Sequence, residues 1–328
     1  MSNLEAEPAE VVAAAEIETD PGLELIEPRL VPLGGPRAMT VRRTLPQRAR
    51  SLIGAWCFLD HYGPDDVSDS GGMHVPPHPH TGLQTVSWLF QGEIEHRDST
   101  GAHQLVRPGE LNLMTAGRGI QHSEVSTPGT RLLHGVQLWT VQPDADRFGD
   151  PFFEHTEPDA VRFADATVRV FVGELPGIGD PAPATVFSPL VAAQLDIPAG
   201  TAIELPVDPA FEHGILLDAG ELLVADEPLS AHHLGYLAPG RTSIGLIAGT
   251  EPVRALLIGG EPFPERIVMW WNFIGRDHDE IVSYRARWQA EAIELSEQPA
   301  TYGTVEGWAP ADALPAPVMP GIRLKPRE

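Results

Sequence analysis

The sequence predicts an all-β protein, built from two successive sets of short strands and one short C-terminal helix. Three observations predict this class. Glycine and proline are abundant, with 32 and 33 residues in a chain of 328. Short apolar stretches lie between these turn-forming residues, and the stretches follow the same rhythm in both halves of the chain. Helical spacing of apolar residues is scarce before about residue 276. Short strands joined by turns produce such a pattern.

Changes in composition divide the chain into five segments. In order, they are an acidic N-terminal segment expected to be disordered, a first domain, a turn-rich linker, a second domain that ends in the helix, and an irregular proline-rich tail, over residues 1–22, 23–142, 143–165, 166–300 and 301–328. The acidic segment is too polar to bury a core, although residues 11–17 are compatible with a brief helix. The C-terminal helix is predicted over residues 279–292, where apolar side chains recur at helical spacing.

The charge balance limits the partners of the protein. Acidic residues number 46 and basic residues 22, for a formal net charge of −24. Such a surface repels phosphate groups, so we expect neither direct nucleic-acid binding nor attachment to anionic membranes. The first residues do not resemble a signal peptide, and no apolar run reaches the length of a membrane span. A cytoplasmic location is therefore expected by elimination.

Two short stretches each place ligand-type side chains two residues apart. They are His78 with His80, and His122 with Glu124. Residues i and i+2 of a β-strand point to the same face, so each pair can aim two ligand atoms at one point. Three imidazoles and one carboxylate on two neighbouring strands suit a divalent transition metal. The spacing therefore predicts a metal site.

The strand that follows the first pair has an apolar face. Trp88 and Phe90 lie on its even positions, in phase with His78 and His80 if the strand runs unbroken. We expect this face to be buried together with the histidines, unless Gly82 houses a bulge that shifts the phase.

The remaining histidines and the cysteine lack this paired spacing. His61 and His74 are interpreted as a hydrogen-bonded strand-end histidine and a loop histidine, and a role in the pocket or beside the metal ligands stays open for both. In the second half, histidines occur in the adjacent pairs Glu-His at residues 212–213 and His-His at residues 232–233, and adjacent residues point to opposite strand faces. Cys57 is the single cysteine, so an intramolecular disulfide is excluded, and its apolar surroundings favour a buried, unreactive side chain.

The sequence around the ligand pairs resembles the two signatures of the pirin family. The first is His-Pro-His-Thr-Gly-Leu-Gln-Thr-Val at residues 78–86. The second and more specific is Met-Thr-Ala-Gly-Arg-Gly-Ile-Gln-His-Ser-Glu at residues 114–124. Between them, Glu-His-Arg-Asp-Ser at residues 95–99 and Arg-Pro-Gly-Glu at residues 107–110 also fit. The resemblance covers roughly residues 30–290.

The resemblance implies a bicupin, that is, two jelly-roll-type β-barrels of the cupin fold in one chain, with metal only in the first. It implies one ion, usually iron, and it assigns as ligands the same four residues that the spacing selects, His78, His80, His122 and Glu124. The mixed nitrogen and oxygen donors favour Fe(II), with Ni, Mn, Co, Cu or Zn as alternatives. Gln84 departs from the family, because many pirins have glutamate at that position.

Two functions stay open. Some pirins resemble quercetinases, which implies an oxidoreductase of the quercetin 2,3-dioxygenase type, acting on a small aromatic flavonol with O2. Glu124 would then serve in turn as metal ligand and catalytic base. An apolar pocket would be lined by four side chains, Trp88, Phe90, Met114 and Trp139. The alternative is a weakly catalytic or non-catalytic metal- and redox-sensing regulator that binds a protein partner. A cupin sugar isomerase is disfavoured by the second signature.

Overall fold

The computed structural model describes residues 11–13, 22–33 and 39–324, and these residues confirm the predicted class: all-β with one short C-terminal helix. The strands are β1 (Val11–Ala13), β2 (Glu24–Ile26), β3 (Arg29–Leu33), β4 (Met39–Leu45), β5 (Trp56–Asp66), β6 (His74–His80), β7 (Leu83–Gln91), β8 (Ile94–Asp98), β9 (His103–Val106), β10 (Leu111–Thr115), β11 (Ile120–Ser126), β12 (Leu132–Val141), β13 (Phe152–Thr156), β14 (Val161–Phe163), β15 (Ala166–Val172), β16 (Leu190–Ile197), β17 (Ala202–Pro206), β18 (Glu212–Ala219), β19 (Leu222–Val224), β20 (Glu227–Leu229), β21 (Leu234–Leu237), β22 (Ser243–Ala248), β23 (Val253–Gly260), β24 (Ile267–Trp270) and β25 (Phe273–Gly275). The helices are α1 (His278–Trp288), a π-helical turn (Gln289–Ile293) and a 3₁₀ turn (Pro310–Asp312).

Each half of the chain forms one large and one small antiparallel sheet. In the first half the large sheet has the order β13-β10-β7-β12-β5-β4-β3, and the small sheet has the order β6-β11-β8-β9. In the second half the corresponding orders are β14-β15-β16-β23-β18-β21-β2 and β17-β22-β19-β20. Both halves thus pair a seven-stranded sheet with a four-stranded one. This repetition is the physical basis of the doubled strand rhythm in the sequence.

Some short strands cross the expected division of the chain. β2 pairs with β21 of the second half, although residue 24 lies in the segment assigned to the first domain. Within the expected linker, β13 pairs with β10 of the first half and β14 pairs with β15 of the second. The domain boundaries themselves stay a prediction.

Most of the acidic N-terminal segment lies outside the described residues. Val11–Ala13 are described, and they pair as a strand with Ile267–Met269 of β24 in a third sheet. The brief helix suggested for residues 11–17 is therefore wrong for these three residues, and its remainder lies outside the described part of the chain.

The large sheets of the two halves pack on each other. Trp88 of β7 stacks on Phe171 of β15 with ring centroids 4.1 Å apart, and the Trp88 indole N–H donates to Gln194 at 2.9 Å. Trp88 and Phe90 belong to the buried core between the halves. The prediction that they share a face with His78 and His80 is wrong. The chain turns a corner at Gly82, at φ +69°, so β6 and β7 lie in different sheets and the alternation restarts.

The C-terminal helix begins where the sequence predicts but ends earlier in regular α form. Asp277 caps it, accepting hydrogen bonds from the backbone N–H groups of Asp279 and Glu280. Ile281 and Trp288 face the core, and Trp288 donates to the carbonyl of Leu314 at 2.9 Å, which holds the tail against the helix. Among the described residues, no helix combines the length and apolarity needed to cross a membrane.

Candidate metal centre

Three of the expected ligands come together inside the first half. His78 and His80 lie on β6, and His122 lies on β11 directly opposite His78. All three side chains are fully buried, and one ring nitrogen of each lies within 4.8 Å of the others. Nε2 of His80 and Nε2 of His122 are 3.1 Å apart. The i,i+2 pair on β6 thus converges with His122 on one point.

The state of these imidazoles fits a bound metal ion. His78 Nδ1 donates to the carbonyl of Pro76 at 2.8 Å, so its Nε2 is a buried nitrogen that has no hydrogen-bond partner in the described part of the chain. Burial lowers the pKa of His78 to about 3, and burial likewise holds the pKa values of His80 and His122 well below the usual range. Neutral imidazole is the form that binds metals, and three such groups suit a divalent transition ion.

Glu124 lies at the edge of this group. A carboxylate oxygen of Glu124 lies within 4.8 Å of ring nitrogens of His122 and His96, which form a second group that shares His122 with the first. Glu124 is fully buried, and the Ser87 hydroxyl lies 3.1 Å from its Oε1. A register shift between His122 and Glu124 in the pairing with β6 accounts for this offset. The carboxylate therefore adjoins His122, and its Oε1 shares the Ser87 hydroxyl with Gln137 Oε1, which lies 2.9 Å from that hydroxyl.

His96 and Asp98 also lie in the site, although no role was predicted for them from the sequence. On β8, Asp98 lies opposite His122 and His96 lies opposite Glu124. The His96 and His122 Nδ1 atoms are 3.3 Å apart, and His96 Nε2 is 3.0 Å from Asp98 Oδ2. The signal was present in the sequence, because His-Arg-Asp at residues 96–98 has the same i,i+2 spacing as the two ligand pairs.

The large sheet supplies polar donors and apolar walls to the same interior. Tyr62 Oη, Gln137 Nε2 and Trp139 Nε1 are buried and have no hydrogen-bond partner among the described residues. The Trp139 ring lies edge-on to His80 with centroids 5.0 Å apart. Burial raises the pKa of Tyr62 well above its usual range, and the charges of nearby Glu124 and Asp60 raise it further, so the phenol keeps its proton. These three side chains can thus donate hydrogen bonds to a polar ligand.

The expected pocket residues separate into two groups. Met114 and Trp139 lie on the face of the large sheet that carries Ser87, as the register of β7, β10 and β12 requires. Trp88 stacks on Phe171 and Phe90 lies against Arg254, both in the second half, so their assignment to the pocket is wrong. Gln84 also lies on that outer face, where its amide donates to Thr115 and to the carbonyl of Thr185, each at 2.9 Å.

A second buried cluster lies between the two halves. His61 and His134 each place Nε2 beside Oδ1 of Asp218, at 2.7 and 2.6 Å. The spacing of these atoms would also admit a metal ion. Arg254, however, donates to Asp218 Oδ2 at 2.6 Å and places its guanidinium 3.4 Å from His134 Nδ1. Since a cation already neutralises the carboxylate, we interpret the cluster as an interdomain hydrogen-bond network. His61 is thus hydrogen-bonded, as expected, but it lies in the middle of β5 and not at a strand end.

The other residues considered in the sequence lie away from the cluster of His78, His80 and His122. His74 is an exposed residue at the start of β6, beside the Trp308 ring, and not in a loop as the sequence suggested. His213 is fully buried in the second half, and His232 is half-buried beside His61. Cys57 is fully buried, and burial raises the pKa of its thiol, as expected for an unreactive cysteine.

Paired sheets in each half, with clustered histidines inside the first, define the class of the protein as a bicupin. A model of the pirin family matches residues 38–140, and a model of the pirin C-terminal cupin domain matches residues 192–294. The chain therefore belongs to the pirin family.

Relatives and solved structures agree with this assignment. A Pseudomonas aeruginosa protein provisionally named quercetin 2,3-dioxygenase PA1205 is 43% identical over 270 residues, which is 81% of this chain and 84% of that protein. A crystal structure of quercetin 2,3-dioxygenase from Acinetobacter baumannii covers 92% of this chain and 98% of its own, with 36% identity and a TM-score of 0.84. The nickel(II) complex of the Escherichia coli pirin YhhW covers 74% of this chain and 100% of its own at 18% identity and a TM-score of 0.59, which shows the fold alone.

The metal-free protein is expected to lose stability as the pH falls from 7 to 5. Burial lowers the pKa of His78 to about 3 and that of His213 to about 4, both below the ordinary value of 6.5. At these pH values the two histidines bind protons in the unfolded chain but not in the folded one. The free energy of unfolding therefore decreases as the pH falls below 6.5. Each histidine should contribute about 2 kcal/mol of loss by pH 5.

Urea denaturation in the presence of a chelator, at both pH values, measures this loss. In His213→Gln the pH dependence should weaken by about one proton per molecule, because one buried histidine no longer titrates. An unchanged free energy of unfolding between pH 7 and 5 would show that these histidines accept protons in the folded state.

Proposed function

We propose that this pirin is a metal-dependent oxygenase of the quercetin 2,3-dioxygenase type, with Fe(II) as the favoured ion and a flavonol and O2 as substrates. His78, His80, His122 and Glu124 would hold the ion. The observation that carries the proposal is the convergence of three buried, neutral imidazoles beside a buried carboxylate in the interior of the first cupin domain. The relatives with quercetin 2,3-dioxygenase names support the substrate class.

The interior matches the chemistry of a flavonol, which is a flat aromatic molecule rich in oxygen. Met114 and Phe153 lie opposite each other in neighbouring strands and offer apolar surface, and Trp139 offers an aromatic wall beside His80. The unpartnered donors of Tyr62 and Gln137 can bind substrate oxygens. Apolar walls with a few placed polar groups are typical of small-molecule sites.

The roles of the residues follow from these positions. A bound divalent ion would supply Lewis-acid polarisation of a substrate oxygen. Glu124 would accept the proton of the flavonol hydroxyl, since its carboxylate adjoins the ligand histidines and a base must lie within hydrogen-bond reach of the proton that it takes. Ser87 would orient the carboxylate through Oε1. The burial of the whole group excludes water from the reacting atoms.

Metal analysis and oxygen uptake on the same sample test the proposal. Iron-loaded wild-type protein should bind one ion per chain and consume O2 only when quercetin is present. His122→Ala should lose both the ion and the turnover, because it removes one of three converging imidazoles. His74→Ala is the matched control, since His74 lies on the same strand as two ligands but is exposed. It should behave as wild type.

Two outcomes would count against the proposal in different ways. Full metal occupancy in His122→Ala would reject the ligand assignment. A metal-replete wild type that cleaves no flavonol would reject the activity and favour the alternative, a metal-sensing regulator with a protein partner.

A further inference from the structure

We propose that His96 and Asp98 are positioning residues that hold His122 in the tautomer whose Nε2 is free to bind the metal. The inference rests on the proposed function, because it takes His122 as a metal ligand. The two residues would neither contact the substrate nor bind the ion. They would set the orientation and the basicity of His122.

The chain of contacts runs across two neighbouring strands. His122 Nδ1 is 3.3 Å from His96 Nδ1, and His96 Nε2 is 3.0 Å from Asp98 Oδ2. His96 and Asp98 are 3% and 2% exposed, so water does not substitute for either contact. The register of β8 and β11 places all three residues on one face of the small sheet.

Asp98, the last group in this series of hydrogen bonds, determines the direction of each one. An ionised carboxylate only accepts, so a His96 ring that carries a single proton must hold that proton on Nε2, facing Asp98. His96 Nδ1 is then an acceptor, and His122 must donate to it from Nδ1. A neutral His122 with its proton on Nδ1 carries a lone pair on Nε2, the atom that lies 3.1 Å from His80 Nε2 in the metal cluster.

Three further contacts hold Asp98 and His96 in place. Asp98 uses its other oxygen, Oδ1, to accept hydrogen bonds from the Thr100 backbone N–H at 2.8 Å and from the Thr100 hydroxyl at 2.6 Å. The Phe153 ring stacks on His96, with centroids 4.6 Å apart and planes 22° from parallel. Asp98 Oδ2 is thus reserved for His96, and the His96 ring cannot swing away freely.

At His78 a single direct hydrogen bond determines the tautomer. His78 donates from Nδ1 to the carbonyl of Pro76, which is also an acceptor only, and its Nε2 is left for the ion. His122 has no such carbonyl contact among the described residues, and His96 with Asp98 takes that role. A change at Asp98 should therefore act on His122 alone.

Asp98→Asn tests the proposal because it should reverse the direction of both hydrogen bonds without changing the shape of the side chain. The amide oxygen should face the Thr100 donors, which leaves the amide N–H₂ towards His96 Nε2. His96 then accepts at Nε2 and donates from Nδ1, and His122 must carry its proton on Nε2, where it blocks metal binding. We expect metal affinity to fall by about 10- to 100-fold.

The readout that a purely structural role would not move is the tautomer itself. Long-range ¹H–¹⁵N correlation spectra of the metal-free protein should show His122 protonated at Nδ1 in the wild type and at Nε2 in Asp98→Asn. Competition titration with Ni(II) then gives the change in affinity. Glu95→Gln is the matched control, because it makes the same acid-to-amide change on the opposite face of β8, where Glu95 pairs with Arg97, and it should leave the tautomer and the affinity unchanged.

His96→Phe provides a second test if Asp98→Asn does not fold. Phenylalanine can keep the stack on Phe153 but offers no acceptor to His122 Nδ1, so Ni(II) affinity should again fall. Wild-type tautomer and wild-type affinity in a folded Asp98→Asn or His96→Phe protein would overturn the proposal. Failure of the proposed function looks different, because the wild-type protein itself would then bind no ion or cleave no flavonol.

Discussion

Replacing Glu124 by Gln is expected to lower metal-dependent flavonol turnover by about 100-fold or more, while much of the metal stays bound. Removal of a positioned general base typically costs two to four orders of magnitude. Glutamine keeps the shape of the side chain and an oxygen that can still accept from Ser87, now 3.1 Å from Oε1. It cannot take a proton. The three histidines form their own group within 4.8 Å, so they should retain the ion in part.

Turnover and metal content must be measured on the same preparation, because loss of metal would imitate loss of the base. Glu93→Gln is a suitable control: it makes the same chemical change in the same domain, at a partly exposed residue whose carboxylate pairs with Arg107. It should retain wild-type turnover. If metal-replete Glu124→Gln cleaves quercetin at the wild-type rate, Glu124 is not the base.

The clustered histidines could be found from the sequence because their signal is local. His78 and His80 are two positions apart on one strand, with no bulge between them, so alternation alone places them on one face. The all-β class was accessible for a similar reason, since glycines and prolines mark the ends of short strands. His96 and Asp98 carry the same local signal and could have been included in the same way.

The environment of the site could not be predicted, because it depends on where strands change sheets. Gly82 adopts φ +69° and lies so close to the Ile274 carbonyl that a Cβ would approach the oxygen to 2.6 Å. The local sequence does not indicate that the alternation of side chains between the two strand faces restarts at Gly82. Trp88 and Phe90 therefore pack between the domains, although their positions are in phase with the histidines.

The interdomain network is a second feature beyond the reach of alternation. Asp218 lies at a register irregularity of β18, and His134 lies at another in β12. Bulges re-aim side chains in ways that strand periodicity does not reveal. The partners are also far apart in sequence, with 157 positions between His61 and Asp218. Only the packed domains show that these residues meet.

Replacing Asp218 by Ala is expected to destabilise the protein by about 3–5 kcal/mol, the usual effect of removing one partner of a buried charged pair. The Asp218 side chain is completely buried, and its two oxygens serve His61, His134 and Arg254. Without the carboxylate, the two imidazoles lose their acceptor and Arg254 loses its counter-charge. Because the network joins the two domains, the loss should appear in the unfolding of the whole chain.

Urea denaturation at pH 7 is the appropriate measurement, because the direction of the Asp218 pKa shift means that the carboxylate is fully charged at this pH. Burial alone would raise the pKa of Asp218, but hydrogen bonds from His134 and His61 outweigh burial and hold that pKa well below its usual range. The stabilising charge is therefore fully present above the ordinary value of 3.8 and is lost only as the pH falls below it. At pH 7 the whole contribution is measured.

Asp165→Ala provides the control, because Asp165 pairs with Arg162 on the surface, where the side chains are 74% and 75% exposed. Such pairs contribute about 0–1 kcal/mol. Asp218→Asn separates charge from shape and should fall between the two alanine variants. Metal content should match the wild type in every case, since we assign the cluster to hydrogen bonding. An Asp218→Ala protein as stable as Asp165→Ala would show that the network does not hold the domains together, and metal loss in Asp218→Asn would show that it binds an ion.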